Sequence, residues 1–434
     1  MVKSKTKKNN DLITKSFEEI DGEQQEEYYE EVYDLMDDTI RTIQSQYKGS
    51  DAMKIDTLEA MYSDLMPAGY ITTGDDRLDL IISNRPKSGT PLSKFINLFG
   101  DSSSGKSLLA SCIAAEFQKR GGYVLWFDTE RAAFPPFMEV LGVQKKKTIF
   151  VPETRSIEKI FQIILKTVVN NNKRNSKAPL LIVIDSMAST NIEEVVENLD
   201  EMNAGGYNSG AQKQKMLSGA FPKILDHIKD ENVSFLTIDQ LRDNMDRANP
   251  FSPRKRDTSG NSQRFYSDIR IEMVTRKIIK NKKKEQIGQI VRVTTKKNRI
   301  APSPREAEIY LYSTRGLDRF ASWIDELKKQ KKITQYKGKY TYTLPDAEEP
   351  VLYEGDKPTE AQFKKMLRLN KEFKEKVYND WYGKYIFSYE RRGDDYLDDI
   401  QDEVILEDPE DEDGNKKEQP TFIKKRTDNS DEEE

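Results

Sequence analysis

The octapeptide Gly100–Ser107 reads G-D-S-S-S-G-K-S and satisfies G-x-x-x-x-G-K-[ST] at every position. No other segment constrains the fold as much. The apolar run Phe95-Ile96-Asn97-Leu98-Phe99 precedes it, and a helix-compatible stretch, Leu108 to Lys119, follows. A strand, a glycine-bearing turn and a helix in that order make an anion cradle, because successive N–H groups and the helix N-terminus face one negative charge. Gly100, Asp101, Ser102, Ser103, Ser104 and Gly105 supply the turn. Lys106 reaches toward β- and γ-phosphates, and the Ser107 hydroxyl is placed to ligate Mg²⁺. The expectation is a nucleoside triphosphate site.

A chain of 434 residues accommodates one large α/β core with appendages, or two to three domains. The single cysteine, Cys112, excludes a disulfide framework and a cysteine metal cluster, and it suits a reducing compartment. The single histidine, His227, argues against histidine-based metal or triad chemistry. No apolar run approaches a membrane span, and the N-terminus M-V-K-S-K-T-K-K lacks the apolar stretch of a secretory signal. These features predict a soluble, cytoplasmic protein with no membrane partner. The net charge of −5 hides an asymmetry. Fifteen basic residues stand against four acidic ones from Arg254 to Arg299, whereas eighteen acids stand against five bases from Asp394 to Glu434. A basic middle and an acidic tail suggest a polyanion-binding surface with a competing tail.

Periodicity sets the organisation. Tyr29, Val32, Tyr33, Met36, Ile40 and Ile43 recur at spacings that predict an amphipathic helix over Glu23–Gln46. From Ile71 the pattern alternates. Strands are expected at Phe95–Phe99, Tyr123–Phe127, Leu180–Ile184 and Ser234–Ile238, with helices at Lys106–Arg120, Ser156–Val169 and Ala211–Lys229. That order predicts right-handed βαβ units and a sheet with a parallel centre. Asp268–Val274, Gly288–Thr295 and Ala307–Leu311 follow without helices between them, so they extend the sheet as hairpins. Residues 319–392 read as a small, mostly helical module. Residues 1–20 and 393–434 have the composition of disordered segments.

Strand ends carry the chemistry, because ligands of open α/β sheets bind at the carboxyl edge. Leu180–Ile184 ends in Asp185, a candidate Mg²⁺ holder beside Ser107. Tyr123–Phe127 ends in Asp128-Thr129-Glu130, where a carboxylate can activate an attacking water or merely cap a helix. The next strand ends in Asp239-Gln240, whose amide can sense a γ-phosphate or be simply solvated. Two glycine- and polar-rich stretches, Asn203–Gly210 and Arg242–Ser262, interrupt this regularity as long loops. The second holds Arg247, Arg254, Lys255 and Arg256, followed by Arg264-Phe265-Tyr266, a mixture of charge and stacking faces suited to single-stranded nucleic acid. Solvated charge is the alternative there. It is equally open for Lys282-Lys283-Lys284, an expected hairpin tip.

From Ile71 to Tyr312 these motifs resemble the RecA family of homologous-recombination ATPases. Ile71–Asp79 (I-T-T-G-D-D-R-L-D) is similar to the family's lead-in I-S-T-G-S-L-x-L-D, and Phe127-Asp128-Thr129-Glu130 to its [FY]-x-D-x-E strand end. Asp185-Ser186 looks like the Walker B end, D-Q-L-R at Gln240 like N-Q-I-R, Ser259–Tyr266 like G-G-N-A-L-K-F-Y, and Lys297–Pro302 like K-N-K-I-A-A. The resemblance implies a RecA-like α/β core over residues 67–318, with a helical N-terminal extension (21–66) and a C-terminal module. It implies ATP and Mg²⁺ as ligands, Glu130 as base, Phe137 against the adenine, and Gln240 as the link to DNA. Lys106 would act with Lys297 and Arg299, the latter two reaching a neighbour's ATP. Asn203, Gly205 and Gly206 would lie in a first DNA loop; Arg242, Arg247, Arg254, Lys255, Arg256, Gly260, Asn261 and Arg264 would form the second. The implied partners are single- and double-stranded DNA, further copies in a helical filament, and single-strand-binding and mediator proteins. The second loop departs from the family in its charge and in Pro250 and Pro253. The acidic, tryptophan-bearing C-terminal part is similar to the phage UvsX type, which would place the protein in a host cytoplasm. A ring helicase on the same core and an ATP-gated DNA-binding scaffold are the alternatives.

Overall fold

Every residue of Phe95–Gly100 is buried, which a strand tolerates only where both of its faces are covered. The neighbouring strands behave alike. In Tyr123–Asp128, Val124 and Trp126 enter one core while Leu125 and Phe127 enter another. In Leu180–Asp185, Leu181 and Val183 join the first core and Leu180, Ile182 and Ile184 the second. Period-two alternation therefore feeds two apolar layers from unbroken apolar runs.

The computed structural model describes residues 22–46, 56–58, 66–173, 177–192, 209–229, 231–243, 255–257, 260–342 and 358–387. It divides into two units, Met1–Met66 and Pro67–Glu434. The first contains α1 (Gly22–Gln46), where the apolar spacing predicts a helix. Tyr33 and Leu35 on α1 are exposed.

In the second unit a small pair, β1 (Tyr70–Ile71) and β2 (Thr90–Pro91), flanks α2 (Asp76–Ser83). The βαβ series then runs β3 (Phe95–Gly100), α3 (Lys106–Lys119), β4 (Tyr123–Asp128), α4 (Pro135–Val140), β5 (Thr148–Pro152), α5 (Ile157–Lys173), β6 (Leu180–Asp185), α6 (Ser209–Ile228) and β7 (Val233–Asp243). After β8 (Lys255–Asp257) and α7 (Gly260–Tyr266) come the long strands β9 (Ile269–Lys280) and β10 (Gln286–Asn298), then β11 (Glu306–Tyr312) and β12 (Gly316–Leu317). The spatial order is β12-β11-β10-β9-β3-β7-β6-β4-β5, with β8 on β7. From β9 through β5 the neighbours are parallel, and from β9 through β12 they are antiparallel. This is a largely parallel α/β sheet with a hairpin extension. Leu109, Ile113 and Phe117 of α3 cover one face, while Ile160, Phe161 and Ile164 of α5 and Leu217, Phe221 and Ile224 of α6 cover the other.

Two sequence expectations change. β5 is a parallel edge strand that the apolar pattern did not reveal, because none of its residues is fully buried. The described residues of the expected loop Arg242–Ser262 carry regular structure. β7 continues to Asp243 and pairs back with β8, Arg242 opposite Arg256, and α7 begins at Gly260. Charged residues paired through backbone leave no hydrophobic signature, and so the arms read as loop. Asn203, Gly205, Gly206, Arg247 and Arg254 lie outside the described residues, as do the segments 1–20 and 393–434.

A third apolar cluster lies at the C-terminal side. It joins α8 (Arg319–Lys329), the hairpin β13 (Ile333–Tyr336)–β14 (Lys339–Tyr342), α9 (Glu360–Leu369) and α10 (Lys371–Tyr382) around Trp323 and Trp381. Helix α2 stands between clusters: Leu78, Ile81 and Ile82 face the sheet, and Leu80 faces the C-terminal aromatics. Polar groups fix that junction. Trp323 Nε1 donates to Asp76 at 2.9 Å and Ser322 Oγ to Asp75 at 2.6 Å. Arg77, only 1% exposed, lies 3.1 Å from Asp325 and 3.7 Å from Glu326. A buried ion pair contributes little net stability but is costly to break from one side. Arg77→Ala is therefore expected to lower unfolding stability by about 3–5 kcal/mol, read as a denaturant midpoint. An unshifted midpoint would contradict this anchoring.

Candidate functional site

The parallel register aligns the functional strand ends. Gly100 at the end of β3 sits opposite Gln240 of β7 on one side and Met273 of β9 on the other. Asp128 at the end of β4 sits opposite Asp185 of β6. Between the last residue of β3 and the first of α3 the chain turns tightly. A Cβ on Gly100 would stand 2.2 Å from the Met273 carbonyl oxygen. Gly105 adopts φ +90°, and a Cβ there would meet Leu311 Cδ1 at 2.7 Å. Both positions require glycine.

The turn opens on a cleft of ≈ 350 Å³ lined by Ser102, Ser103, Gly105, Lys106, Ser107, Glu130, Asp185 and Gln240 among others. Lys106 is buried and donates to the carbonyls of Gly100 at 3.0 Å and Asp101 at 2.6 Å, and to Ser104 Oγ at 3.4 Å. Burial lowers its pKa against the opposing pull of Asp185 and other carboxylates. Asp185 is pushed up to about 6, chiefly by burial, with the nearby Glu130 and Asp128 adding to the rise and a hydrogen bond from Ser107 opposing it.

Glu130 is held by two donors, one just past β6 and one on β7. Ser186 Oγ donates to Glu130 Oε1, and Gln240 Nε2 lies 3.4 Å from Oε1 and 3.3 Å from Oε2. Ser186 is itself fixed from behind, since Thr129 Oγ1 donates to its carbonyl at 2.7 Å.

The chain matches the family model described as the RecA N-terminal domain over residues 34–318. This chain belongs to the RecA family. It is similar to Protein RecA of Leptospira meyeri, 29% identical over 63% of this chain and 66% of that protein. It is 27% identical to Protein RecA of Thermus thermophilus over 67% of this chain and 79% of the relative. With Protein RecA of Allochromatium vinosum the identity is 32%, over 59% and 68%. The chain spans about two thirds of the length of several curated relatives it matches.

Other residues singled out from RecA-like motifs fall elsewhere in this fold. Phe137, on α4, is half-buried and does not line the cleft. Lys297, in β10, and Arg299, just after it, cap the end of α7: Lys297 Nζ donates to the carbonyls of Arg264 at 2.9 Å and Phe265 at 2.8 Å, and Arg299 to Phe265 at 3.3 Å. Arg299 also lies 3.6 Å from Asp268. Burial and the adjacent Arg299 lower the Lys297 pKa. Neither cation lines the cleft of its own chain. Gly260, Asn261 and Arg264 belong to α7, with Asn261 and Arg264 exposed. Arg242 is exposed on β7, and Lys255 and Arg256 form part of the β8 backbone.

Sequence reasoning missed three sets of residues. Ser186 gave no signal beyond following the strand-end aspartate. Gln286, Gly288, Gln289 and Ser313 form a cleft wall contributed by the antiparallel extension, and Gln289 Nε2 reaches the Ser103 carbonyl at 3.2 Å. Below the cleft runs a buried polar chain: Asn97 Nδ2 donates to Thr237 Oγ1 at 3.0 Å and to Asp239 at 2.7 Å, and Thr237 donates to Gln263 of α7 at 3.0 Å. It joins α7 to β7, the strand that carries Gln240. An asparagine inside an apolar strand was the available clue.

Ser107 and Asp185 both line the cleft and offer hard oxygen donors. That set fits Mg²⁺, which takes one or two protein oxygens together with phosphate oxygens and water. Because Asp185 takes up a proton below about pH 6, Mg²⁺ affinity in the presence of nucleotide is expected to fall about tenfold per pH unit below that point. Asp185→Asn should flatten the profile. Calorimetric titration across the acid range checks this, and a pH-independent wild-type affinity would contradict it.

Proposed function

We propose that this chain is a DNA-dependent ATPase that assembles as filaments on single-stranded DNA and catalyses homologous pairing and strand exchange. The observation that carries the reading is the contact between Glu130 and Gln240 at the edge of the phosphate-loop cleft. Gln240 begins the segment leading to the basic loop, so one side chain touches both the hydrolytic carboxylate and the path to DNA. RecA-family membership supports the same role.

ATP would place its phosphates on the N–H groups of Gly100–Ser107 and on Lys106. Mg²⁺ held by Ser107 and Asp185 would neutralise phosphate charge. Glu130 would orient the attacking water and accept its proton. In that state Gln240 would turn from Glu130 to the γ-phosphate, freeing the carboxylate and shifting the strand that leads into the second loop. Lys297 and Arg299, absent from the cleft of their own chain, would complete the site of a neighbouring protomer, where cations stabilise transferring phosphoryl charge. Phe137 would meet the adenine. Single-strand-binding and mediator proteins would act as partners. The phage-type reading rests on the acidic, tryptophan-bearing C-terminal part.

Glu130→Gln is expected to retain ATP binding while lowering hydrolysis about 10²–10⁴-fold, and to leave filaments on single-stranded DNA intact. Hydrolysis near the wild-type rate would refute the assigned base. Failure of the unmodified chain to exchange strands between homologous DNAs with ATP would refute the function. Closed hexamers in place of filaments would favour a helicase.

A further inference from the structure

Lys213, near the start of α6, reaches back to the segment that follows β6. Its Nζ donates to the carbonyls of Met187 at 2.8 Å and Thr190 at 2.6 Å. Those two oxygens bracket a single 3₁₀ turn, Met187–Ser189. Lys215, two residues on, is exposed, whereas Lys213 is half-buried. Burial brings the Lys213 pKa down to about 8, against the pull of Asp239 on β7. Taking an ammonium out of water is costly, and the Met187 oxygen does not require it. That oxygen already accepts from the Thr190 hydroxyl at 2.8 Å and from the Thr190 N–H at 3.3 Å. The amine therefore does more than fill an orphan acceptor: it ties α6 to this turn.

What the turn carries gives the tie its consequence. Ser186, the residue before it, donates to Glu130. The Ser186 carbonyl is fixed by Thr129 Oγ1 at 2.7 Å and by Ser189 Oγ at 3.0 Å. Met187 is buried in the second apolar layer. We propose that Lys213 is a positioning residue for ATP hydrolysis, holding the Met187–Thr190 turn where the Ser186 hydroxyl stays on Glu130. The inference rests on Glu130 as the base. Once Gln240 leaves Glu130 for the γ-phosphate, Ser186 is the one of these two donors still orienting the carboxylate, so the tie acts in the hydrolysing state. The next residue of α6 extends the frame to α7: Gln214 Oε1 accepts from the Ser262 N–H at 3.2 Å, and the Gln214 carbonyl from Ser262 Oγ at 3.1 Å. Helix α6 thus meets the base through Lys213 and α7 through Gln214, by a route that bypasses Gln240.

The test is a double-mutant cycle in the full chain: Lys213→Met, Ser186→Ala and the two combined, with kcat and KM for ATP measured on saturating single-stranded DNA. Lys213→Met is expected to lower kcat about tenfold, with KM within about twofold of the wild-type value. The combined variant should be no slower than Ser186→Ala alone, because the lysine acts through the serine. A purely architectural role would instead multiply the two losses, and that result overturns the proposal. An unchanged kcat for Lys213→Met overturns it too, as does a raised KM with kcat intact, which assigns the lysine to nucleotide binding. If thermal melting shows that Lys213→Met does not fold, Lys213→Gln, which keeps an N–H donor on a shorter side chain, takes its place in the cycle under the same criteria. Glu130→Gln is run alongside. Its hydrolysis at the wild-type rate would remove the base assignment itself, whereas multiplied losses beside an inactive Glu130→Gln would remove only the role given to Lys213.

Discussion

The register of the parallel sheet is the constraint on which the rest depends. Gly100, Gln240 and Met273 share one level of the sheet, and Asp128 and Asp185 another. That register is held by two apolar layers fed from alternate residues of the same strands. A one-residue slip would turn every core side chain to the wrong face. The site is consequently placed by packing that lies well beneath it. The phosphate loop can close against the Met273 carbonyl because residue 100 lacks a side chain, and Glu130 meets Gln240 because β4 and β6 end alongside the part of β7 that carries Gln240.

Much of this was legible in the residue pattern, for identifiable reasons. The phosphate loop, the strand-end acids and the helices between strands announce themselves because glycine, lysine and unbroken apolar runs have few other uses at such spacing. The edge strand β5 did not, since an edge needs little apolar area. The arms of the second loop did not, since backbone pairing between Arg242 and Arg256 leaves no hydrophobic trace. Nor did the cleft wall of Gln286, Gln289 and Ser313, which comes from strands far along the chain whose approach depends on sheet order. Ser186 illustrates the remaining limit: its hydroxyl acts through a contact with Glu130 that no sequence spacing encodes.

The geometry has a common logic in its polar groups. Glu130 is held by Ser186 and Gln240, and Gln240 follows Asp239, which is tied through Asn97 and Thr237 toward α7. Inside a low-dielectric interior such linked hydrogen bonds are costly to leave half-made. A change at the phosphate end therefore tends to be answered along the chain of partners. Lys297 and Arg299 close the far end of that path by capping α7, so the groups proposed to serve a neighbour's nucleotide rest on the same helix.

The central claim is that the Gln240–Glu130 contact restrains hydrolysis until DNA and nucleotide draw Gln240 away. The most direct measurement is the ATP hydrolysis rate of Gln240→Ala with and without single-stranded DNA. The account predicts that the two rates converge, because neither the restraint nor its release remains. Stimulation by DNA at the wild-type ratio would contradict it.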